Sequence, residues 1–461
     1  MIPERLQPIL ADVQPLADRF RASGHALYLV GGIVRDLVLG RLHPGADLDL
    51  TTDARPDETR AVLDGWADAV WTQGAAFGTI GARKGDALFE ITTHRAEAYR
   101  EDSRKPHVVY ADDVTEDLSR RDFTVNAMAL RLPDIELIDP YGGVADLGAG
   151  VLRTPLAPEV SFSDDPLRML RAARFVAGYG LTPDPALVTA VEGMRGRLEI
   201  VSAERVRDEL SKLMVVDDPS AGLWFLTDTG LSDEFLPELR ALRLEQDPIH
   251  RHKDVLGHTI AVVAKTSPRL VVRLAALLHD VGKPKTRSIG PRGVSFHHHE
   301  VVGARMARDR LRALRFSNEV VDDVQRLVFL HLRFHGYSDA VWSDSAVRRY
   351  ARDAGPLLAD LNELTRSDCT TRNERRARML AARMDALEAR IAELREREEL
   401  DAIRPDIDGN RVMELLGVGP GRVVGEALAM LLEARLDEGP LGEDEAERRL
   451  RAWWAARGAD G

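Results

Sequence analysis

The chain has 461 residues, of which 44% are hydrophobic and 30% are charged, and its formal net charge is −12 at pH 7. This composition is ordinary for a soluble protein of several domains, and no apolar run reaches the ~20 residues that span a membrane. The acidic balance disfavours a general nucleic-acid binder but leaves room for a local basic groove. The single cysteine, Cys369, excludes an internal disulfide, and since the N-terminus shows no signal-peptide pattern we expect a cytoplasmic protein.

A glycine turn follows the first predicted strand. Residues 4–24 predict a helix, residues 26–30 predict an apolar strand, and Gly31-Gly32 predicts a turn into a helix that Gly40 is placed to end. Paired glycines allow close backbone approach, and the N-terminus of the helix offers free N–H groups to a phosphate. The turn is therefore a candidate phosphate cradle.

Two aspartates stand on the next predicted strand. The alternation in residues 47–51 puts Asp47 and Asp49 on one face and two leucines on the other. Neighbouring carboxylates resist ionising together unless a cation lies between them, and Mg²⁺ usually binds one or two carboxylates plus substrate phosphates. Together with the glycine turn, this pattern predicts phosphoryl or nucleotidyl transfer. Either half alone could be a plain turn or a pair of surface aspartates.

The two motifs, G-G-x-V-R-D followed by D-L-D-L-T, resemble the signature of the DNA polymerase β-type nucleotidyltransferases. More narrowly, they resemble those of class II tRNA CCA-adding enzymes and bacterial poly(A) polymerases. The resemblance implies an α+β head in which helices pack on a small mixed sheet. It also implies that Gly31, Gly32 and Arg35 hold the triphosphate of a nucleotide.

A third acidic residue is expected beside the aspartates. In the strand predicted over residues 87–93, Phe89 and Ile91 face one way and Glu90 faces the other. Because a polar residue in an apolar strand is costly unless it is paired, Glu90 is a candidate third metal carboxylate. The alternative is a solvent-facing glutamate. Residues 97–117 lack clear periodicity and are expected to form a mobile loop.

Residues 120–130, with the sequence RRDFTVNAMAL, form the next dense motif. The spacing of Asp122 and Asn126 predicts a helix with both side chains on one face. A carboxylate and an amide suit ribose hydroxyls, and the arginine pair Arg120-Arg121 suits phosphates. The motif matches the R-R-D-F-x-x-N-A motif of the resembled family residue for residue.

A basic helix is predicted over residues 163–175, with Asp165 as its cap. Arginines recur in it every three residues, at Arg168, Arg171 and Arg174, and form one face. The pattern resembles the family motif E-D-x-x-R-x-x-R, with aspartate at the first position. The resemblance implies that Asp165 and Arg168 select the base, since a carboxylate accepts from the amino group of C or A and a guanidinium donates to ring acceptors. The alternative is a capped helix with a solvated basic face.

Histidines become frequent from about residue 246, and the pair His279-Asp280 stands at the end of a predicted helix. This pair, followed by Gly-Lys, resembles an HD-type metal-dependent phosphohydrolase domain. Imidazole and carboxylate ligands suit a divalent transition metal, and such a metal can activate water against a phosphoester. The resemblance implies that the pair is completed by His258, His299, His331 and Asp368.

Two helical segments are expected after this cluster. Residues 372–400 predict a long, charged amphipathic helix, and a small helical unit follows Pro405, with Trp453 and Trp454 expected to be buried. The glycine-rich hairpin at residues 416–421 could seat a nucleic-acid backbone on its N–H groups or simply join two helices.

The sequence thus predicts an α+β fold: a polymerase β-type head with a small mixed sheet, an all-α body, an HD domain and a helical tail. The expected ranges are residues 1–150 for the head, 151–245 for a helical neck that selects the base and binds RNA, 246–400 for the HD domain with its long helix, and 401–461 for a small helical region.

By resemblance, the enzyme adds C, C and A to tRNA 3′ ends from CTP and ATP, without a nucleic-acid template and by two-metal nucleotidyl transfer. Mg²⁺ would be held by Asp47, Asp49 and Glu90, and the nucleotide by Gly31, Gly32, Arg35, Arg121, Asp122, Asn126, Asp165, Arg168, Arg171 and Arg174.

Two alternatives stay open at this point. A poly(A) polymerase or a partial (A-only or CC-only) adding enzyme shares the same motifs. The alternative from another class is an HD phosphohydrolase whose head only binds RNA. The sequence leaves open the oligomeric state, the metal of the HD domain and its substrate.

Overall fold

The computed structural model describes residues 7–41, 48–98, 107–244, 254–290, 293–336, 342–369, 374–398 and 403–459. The chain divides into two compact units, Met1–Phe235 and Leu236–Gly461. The four ranges expected from the sequence are finer than this division and stay predictions. Within the described ranges, no helix combines the length and the apolar character that crossing a membrane requires.

The first unit is built on a mixed sheet of seven strands. The strands of this unit are β1 (Leu27–Val30), β2 (Leu48–Thr52), β3 (Ala69–Trp71), β4 (Thr79–Lys84), β5 (Ala87–Thr93), β6 (Arg95–Ala98), β7 (His107–Tyr110), β8 (Ala129–Leu132), β9 (Glu136–Ile138), β10 (Val151–Leu152) and β11 (Thr182–Pro183). The strand order is β3-β4-β5-β2-β1-β8-β9. Only β2 and β5 pair in parallel in this sheet, and its other neighbours are antiparallel.

Helices pack on this sheet, and the part of the first unit that follows the sheet is mainly helical. They are α1 (Gln7–Ala22), α2 (Gly32–Leu39), α3 (Pro56–Leu63), α4 (Val114–Ser119), α5 (Gly143–Ala149), α6 (Pro158–Asp164), α7 (Leu167–Tyr179), α8 (Pro185–Met194), α9 (Ala203–Met214) and α10 (Ser220–Asp228). Short 3-10 helices lie at Ala75–Phe77, Thr124–Asn126, Arg195–Ile200 and Leu231–Glu234. The α+β class and the helical region after the head are confirmed.

The core of the first unit follows from strand alternation. On β5, Phe89 and Ile91 are fully buried and join a cluster with Phe20 of α1 and Leu63 of α3. The intervening Glu90 is exposed. Because side chains of a strand point alternately to the two faces, the buried leucines of β2 hold Asp49 on the same exposed face as Glu90.

The expectation of a mobile loop over residues 97–117 was wrong for most of the residues that the structure describes. Strands β6 and β7 pair antiparallel, with Arg95 opposite Tyr110, and α4 begins after the capping carboxylate of Asp113. The ribbon was missed because its two short strands are joined by the charged residues 99–106, which lie outside the described residues.

The second unit is almost entirely helical. Its helices are α11 (Pro237–Ala241), α12 (Val255–Lys265), α13 (Leu270–Leu278), α14 (Lys283–Thr286), α15 (His299–Ala313), α16 (Asn318–Leu330), α17 (Arg333–Gly336), α18 (Asp344–Ala354), α19 (Leu358–Asp368), α20 (Glu374–Glu398), α21 (Gly409–Leu416), α22 (Arg422–Glu438) and α23 (Glu443–Ala459). A hairpin of β12 (Arg287–Gly290) and β13 (Gly293–Phe296) and a 3-10 turn at Gly355–Leu357 complete it.

Two sequence expectations can be compared with these helices. The long charged helix is confirmed as α20. The expected burial of Trp453 and Trp454 was wrong, since both side chains are half-buried. Trp453 packs against the small core of α21, α22 and α23, but this core is too small to enclose two indole rings.

Replacing Phe89 by alanine should destabilise the first unit by about 3–5 kcal/mol, because a fully buried aromatic side chain that contacts Trp66 would leave a cavity. The matched control is Leu88→Ala on the exposed face, which should cost under about 1 kcal/mol. Urea unfolding measures both free energies. Equal losses of unfolding free energy in the two variants would contradict the assignment of Phe89 to the buried face of β5 and of Leu88 to the exposed face.

Candidate functional site

The glycine turn between β1 and α2 faces an arginine and an aspartate. Gly31 has a φ of 74°, and a Cβ at this position would lie 2.8 Å from Nη1 of Arg121 and 4.0 Å from Oδ2 of Asp49. Only glycine combines this left-handed backbone with so close an approach. The turn, Arg121 and Asp49 therefore meet at one point of the exposed sheet surface.

Two of the three predicted metal carboxylates are neighbours. The parallel register of β2 and β5 pairs Asp49 with Glu90, and both residues are exposed. Two carboxylates on adjacent rigid strands offer the oxygen ligands that Mg²⁺ prefers. The residues present thus fit a hard divalent cation. Asp47, the other predicted ligand, lies outside the described residues.

The R-R-D-F motif does not form the expected α-helix. Residues Thr124–Asn126 form a 3-10 turn instead, because the chain runs on at once into β8. Asp122 and Asn126 still meet, since Nδ2 of Asn126 donates to Oδ1 of Asp122 at 2.9 Å. Both side chains are at most 9% exposed, so the pair is a built internal contact.

Arg35 lies behind this pair. Its Nη1 donates to Oδ1 of Asn126 at 2.7 Å, and its guanidinium lies 4.1 Å from the ring centre of Tyr179. The side chain also donates to Asp36 and is only 6% exposed. Arg35 thus supports Asn126 from within the fold. Its Nη2 also lies against the glycine turn, 3.3 Å from the position of a Cβ on Gly32, so the triphosphate role that the resemblance implies stays a prediction.

The three arginines of α7 are bound to buried partners and do not form a solvated face. Arg171 donates to Oδ2 of Asp122 from Nε at 2.9 Å and from Nη2 at 2.6 Å. Arg174 donates to Glu209 of α9. Arg168 is buried and donates to Oγ of Ser161 at 2.9 Å and to a backbone oxygen at 2.5 Å. An internal network therefore joins α7 to the 3-10 turn and to α9.

The charges of this network shift the pKa values of Asp122 and Arg171. Burial alone would raise the pKa of Asp122, but Arg171 and the hydrogen bond from Asn126 outweigh it and lower that pKa. Burial opposes the charge of Arg171 as well, yet Asp122 and Glu209 raise its pKa. Both groups thus stay ionised over the physiological pH range.

Asp165 has two partners in this unit. Its Oδ1 accepts from the backbone N–H of Leu167 at 3.1 Å, at the start of α7, although the N-cap position itself is held by Pro166 and not by Asp165 as predicted. Its Oδ2 accepts from Nη2 of Arg205 at 2.7 Å. The base-selecting carboxylate that the resemblance implies is therefore already oriented by a helix end and by a guanidinium of α9.

Sequence reasoning missed two buried carboxylates, Asp117 and Glu209. Glu209 is 2% exposed and follows Val206 by three residues on the buried face of α9. A charge on an apolar helix face was the signal that could have revealed it. For Asp117, burial would raise the pKa, but Arg121 and Arg120 outweigh it and lower the pKa to about 2.

The HD cluster is assembled in the second unit by the ends of several helices. Nε2 of His258 lies 2.9 Å from Oδ1 of Asp368 and 3.7 Å from Oδ2 of Asp280. Nε2 of His279 lies 3.2 Å from Oδ2 of Asp280, and Nε2 of His299 lies 3.4 Å from Oδ1 of the same residue.

His331 completes the cluster. Its ring centre lies 5.3 Å from those of both His279 and His299. Ligand atoms of Asp280, His299 and His331 fall within 4.8 Å of one another, as do those of His258, His279 and Asp280. The structure therefore brings together all six residues of the predicted HD site.

Three of these histidines present the same ring atom, Nε2, to the cluster. Nδ1 of His279, His299 and His331 is hydrogen-bonded to a backbone carbonyl three residues earlier. Among the described residues, the buried Nε2 atoms of these rings have no hydrogen-bond partner. A carbonyl at Nδ1 directs the lone pair to Nε2, which is the arrangement of a metal-ligating imidazole. The donor set fits a divalent transition metal.

Electrostatics at the cluster favour positive charge. Burial would lower the pKa of His279, but the carboxylates of Asp280 and Asp368 outweigh it and raise the pKa to about 10. Burial and the neighbouring His279 lower the pKa of His331 to about 3. Lys283 adds a further cation, since its Nζ donates to Oδ2 of Asp280 at 2.6 Å.

Substituting His299 by glutamine should lower the affinity for a divalent transition metal at least ~10-fold, because the buried Nε2 ligand is lost. The matched control is the neighbouring His298→Gln, whose side chain is 83% exposed. Titration with Mn²⁺, Ni²⁺ and Zn²⁺, followed by calorimetry, measures the affinities. A metal affinity that is equal in both variants would contradict the assignment of His299.

Glu209→Gln should destabilise the first unit by about 1–3 kcal/mol, because Arg174 and Arg171 would lose a buried anionic neighbour. The exposed Glu204→Gln on the same helix should cost less than about 1 kcal/mol. Urea unfolding compares the two. A larger loss for Glu204→Gln would show that the network does not stabilise the neck.

Known protein families and a solved structure match this architecture. Three family models match the chain: the poly A polymerase head domain over residues 27–153, the probable RNA and SrmB-binding site of polymerase A over residues 180–242, and the HD domain over residues 255–395. The crystal structure of the Bacillus stearothermophilus CCA-adding enzyme in complex with CTP has the same fold, with a TM-score of 0.72 and 24% identity over 100% of both chains.

Curated relatives share much of the sequence. The A-adding tRNA nucleotidyltransferase of Deinococcus radiodurans is 36% identical over 442 residues, which cover 93% of this chain and 95% of that protein. The CCA-adding enzyme of Lactobacillus gasseri is 35% identical over 231 residues, or 50% of this chain and 56% of that enzyme. The chain therefore belongs to the family of class II CCA-adding enzymes and bacterial poly(A) polymerases that carry an HD domain.

Proposed function

We propose that this protein extends the 3′ end of tRNA from CTP and ATP, without a nucleic-acid template, and completes the CCA sequence. The observation that carries the proposal is the pairing of Asp49 with Glu90 beside Gly31 and Arg121. A carboxylate pair for a cation and a glycine turn with an arginine for a triphosphate are the two parts that nucleotidyl transfer requires. The proposal includes a cytoplasmic location.

The carboxylate pair, with Asp47, would hold Mg²⁺. The bound ion would lower the pKa of the primer 3′-OH and stabilise the charge that develops on the α-phosphate. The backbone of Gly31 and Gly32 and the side chain of Arg121 would hold the triphosphate, while pyrophosphate leaves. Positioning of the two substrates accounts for most of the rate, since the protein forms no covalent bond to either.

Ribose and base would be bound by residues of the internal network. The Asp122–Asn126 pair would meet the ribose hydroxyls, with Arg171 and Arg35 keeping both side chains in place. Asp165 would accept from the exocyclic amino group of C or A, and Arg168 would donate to the ring. On the Watson–Crick edge, neither G nor U places an amino group beside an unprotonated ring nitrogen.

Addition of the terminal A alone is the second candidate. It is favoured by the D. radiodurans relative, which aligns over 93% of this chain and is an A-adding tRNA nucleotidyltransferase. The CCA-adding relative aligns over only half of it. The two candidates share the chemistry and differ only in which tRNA ends and which nucleotides are accepted.

The second unit would supply a separate hydrolytic activity. A divalent transition metal would be held by His258, His279, Asp280, His299, His331 and Asp368. Such a metal can activate water against a phosphoester, so the unit would act as a phosphohydrolase. An HD phosphohydrolase with a head that only binds RNA is the remaining alternative, and it requires a head without transfer activity.

The test uses purified protein, Mg²⁺, labelled CTP and ATP, and tRNAs that lack CCA, CA or A. We expect addition to stop once CCA is complete. Asp49→Asn should lower the rate at least ~100-fold because a cation ligand is lost. The exposed Asp57→Asn is the matched control and should keep the wild-type rate.

Other outcomes would change the assignment. Addition of A only to tRNA that ends in CC would establish the A-adding candidate. Long A tails on any RNA would indicate a poly(A) polymerase. A wild-type protein that incorporates nothing would contradict the proposal and favour a head that only binds RNA.

A further inference from the structure

A fully buried carboxylate lies beneath the arginine pair. Asp117 of α4 is 0% exposed, and it accepts from Nε and Nη2 of Arg120 at 3.2 and 2.9 Å and from Nη2 of Arg121 at 3.2 Å. It also accepts from the backbone N–H of Arg95 at 3.3 Å, at the start of β6. One buried anion thus ties two consecutive guanidinium groups to the edge of the head.

Nη2 of Arg121 is hydrogen-bonded to Asp117, and Nη1 points toward the glycine turn. Nη1 approaches the position of a Gly31 Cβ to 2.8 Å, beside Asp49. Its Nε is buried and, within the described part of the chain, has no hydrogen-bond partner. An arginine anchored through Nη2 therefore offers Nη1 toward the glycine turn, where an anion would approach.

One carboxylate binds two guanidinium groups at this position. Asp117 pairs with Arg120 at 2.9 Å and with Arg121 at 3.2 Å. An arginine with no anchor would lose side-chain entropy when it binds an anion. Because the bond to Asp117 has already removed much of that freedom, the remaining donors of Arg121 are preorganised for an oxyanion.

We propose that Asp117 is a positioning residue that presents Arg121 to the polyphosphate of the incoming nucleotide, the part that leaves as pyrophosphate. The inference rests on the proposed function, because it assigns this role for nucleotidyl transfer. Asp117 contacts no substrate itself. It acts through Arg121, whose Nη1 approaches the glycine turn next to Asp49.

Asp117→Asn tests this role, because it keeps the size of the side chain and removes its charge. We expect kcat/KM for ATP to fall ~10–100-fold and the inhibition constant of pyrophosphate to rise ~10-fold, with the KM for tRNA within about twofold of wild type. The matched control is Glu116→Gln, an exposed neighbour on α4, which should leave all three constants unchanged. An unchanged inhibition constant in Asp117→Asn would overturn the inference.

A double-mutant cycle separates positioning from general support of the fold. If Asp117 acts through Arg121, the double variant with Arg121→Gln should be no worse than Arg121→Gln alone in kcat/KM. Losses that multiply would show that Asp117 has another role and would overturn the inference. Circular dichroism and thermal unfolding check that each variant is folded.

The proposal stays testable if Asp117→Asn does not fold. Arg121→Gln must then weaken pyrophosphate inhibition ~10-fold, and full retention of that inhibition would contradict the inference. A wild-type protein without incorporation would contradict the proposed function itself. Wild-type incorporation combined with normal pyrophosphate inhibition in Asp117→Asn would contradict only the role of Asp117.

Discussion

The parallel pairing of β2 with β5 is the constraint on which the candidate site of the first unit depends. It sets Asp49 beside Glu90, and the buried leucines of β2 together with Phe89 and Ile91 of β5 hold both carboxylates on the exposed face. A slip of one residue would bury the acids and expose the core, so the hydrophobic effect itself maintains the register. The site is thus positioned by apolar packing on the opposite face of the sheet.

Around that sheet, Arg120, Arg121, Arg171 and Arg174 are held by buried acids. Asp122 binds Arg171, Glu209 binds Arg174, and Asp117 binds the arginine pair that precedes Asp122. Breaking such a pair leaves a buried charge without a partner, which is far more costly than losing a surface ion pair. This arrangement keeps long, flexible side chains in single conformations before a nucleotide arrives.

The sequence predicted the exposed carboxylates and the glycine turn, because strand alternation and turn conformation depend on neighbouring residues. The facing of Glu90 followed from Phe89 and Ile91, and the close approach at Gly31 followed from the double glycine. The HD residues are far apart in the chain, and only the family resemblance united them. All six were found together in the second unit.

What could not be predicted depends on distant partners. The spacing of Asp122 and Asn126 suits an α-helix, but the start of β8 forced a tighter turn. The internal partners of Arg171 and Arg174 could not be predicted, because Asp122 and Glu209 are 49 and 35 residues away in the chain. The apolar face of α9 could have indicated that Glu209 is buried, but no local pattern indicates which arginine it binds.

The histidines of the HD cluster have one further property. In each of three rings, Nδ1 is bonded to the carbonyl three residues earlier, so a single turn of backbone orients each ligand. Each imidazole is therefore oriented by the backbone of its own segment and needs no hydrogen-bond partner at Nδ1 from another segment. A metal held by these rings would clamp the ends of three separate helices. Loss of the metal would first fray those helix ends, while the apolar interior between the helices stays packed.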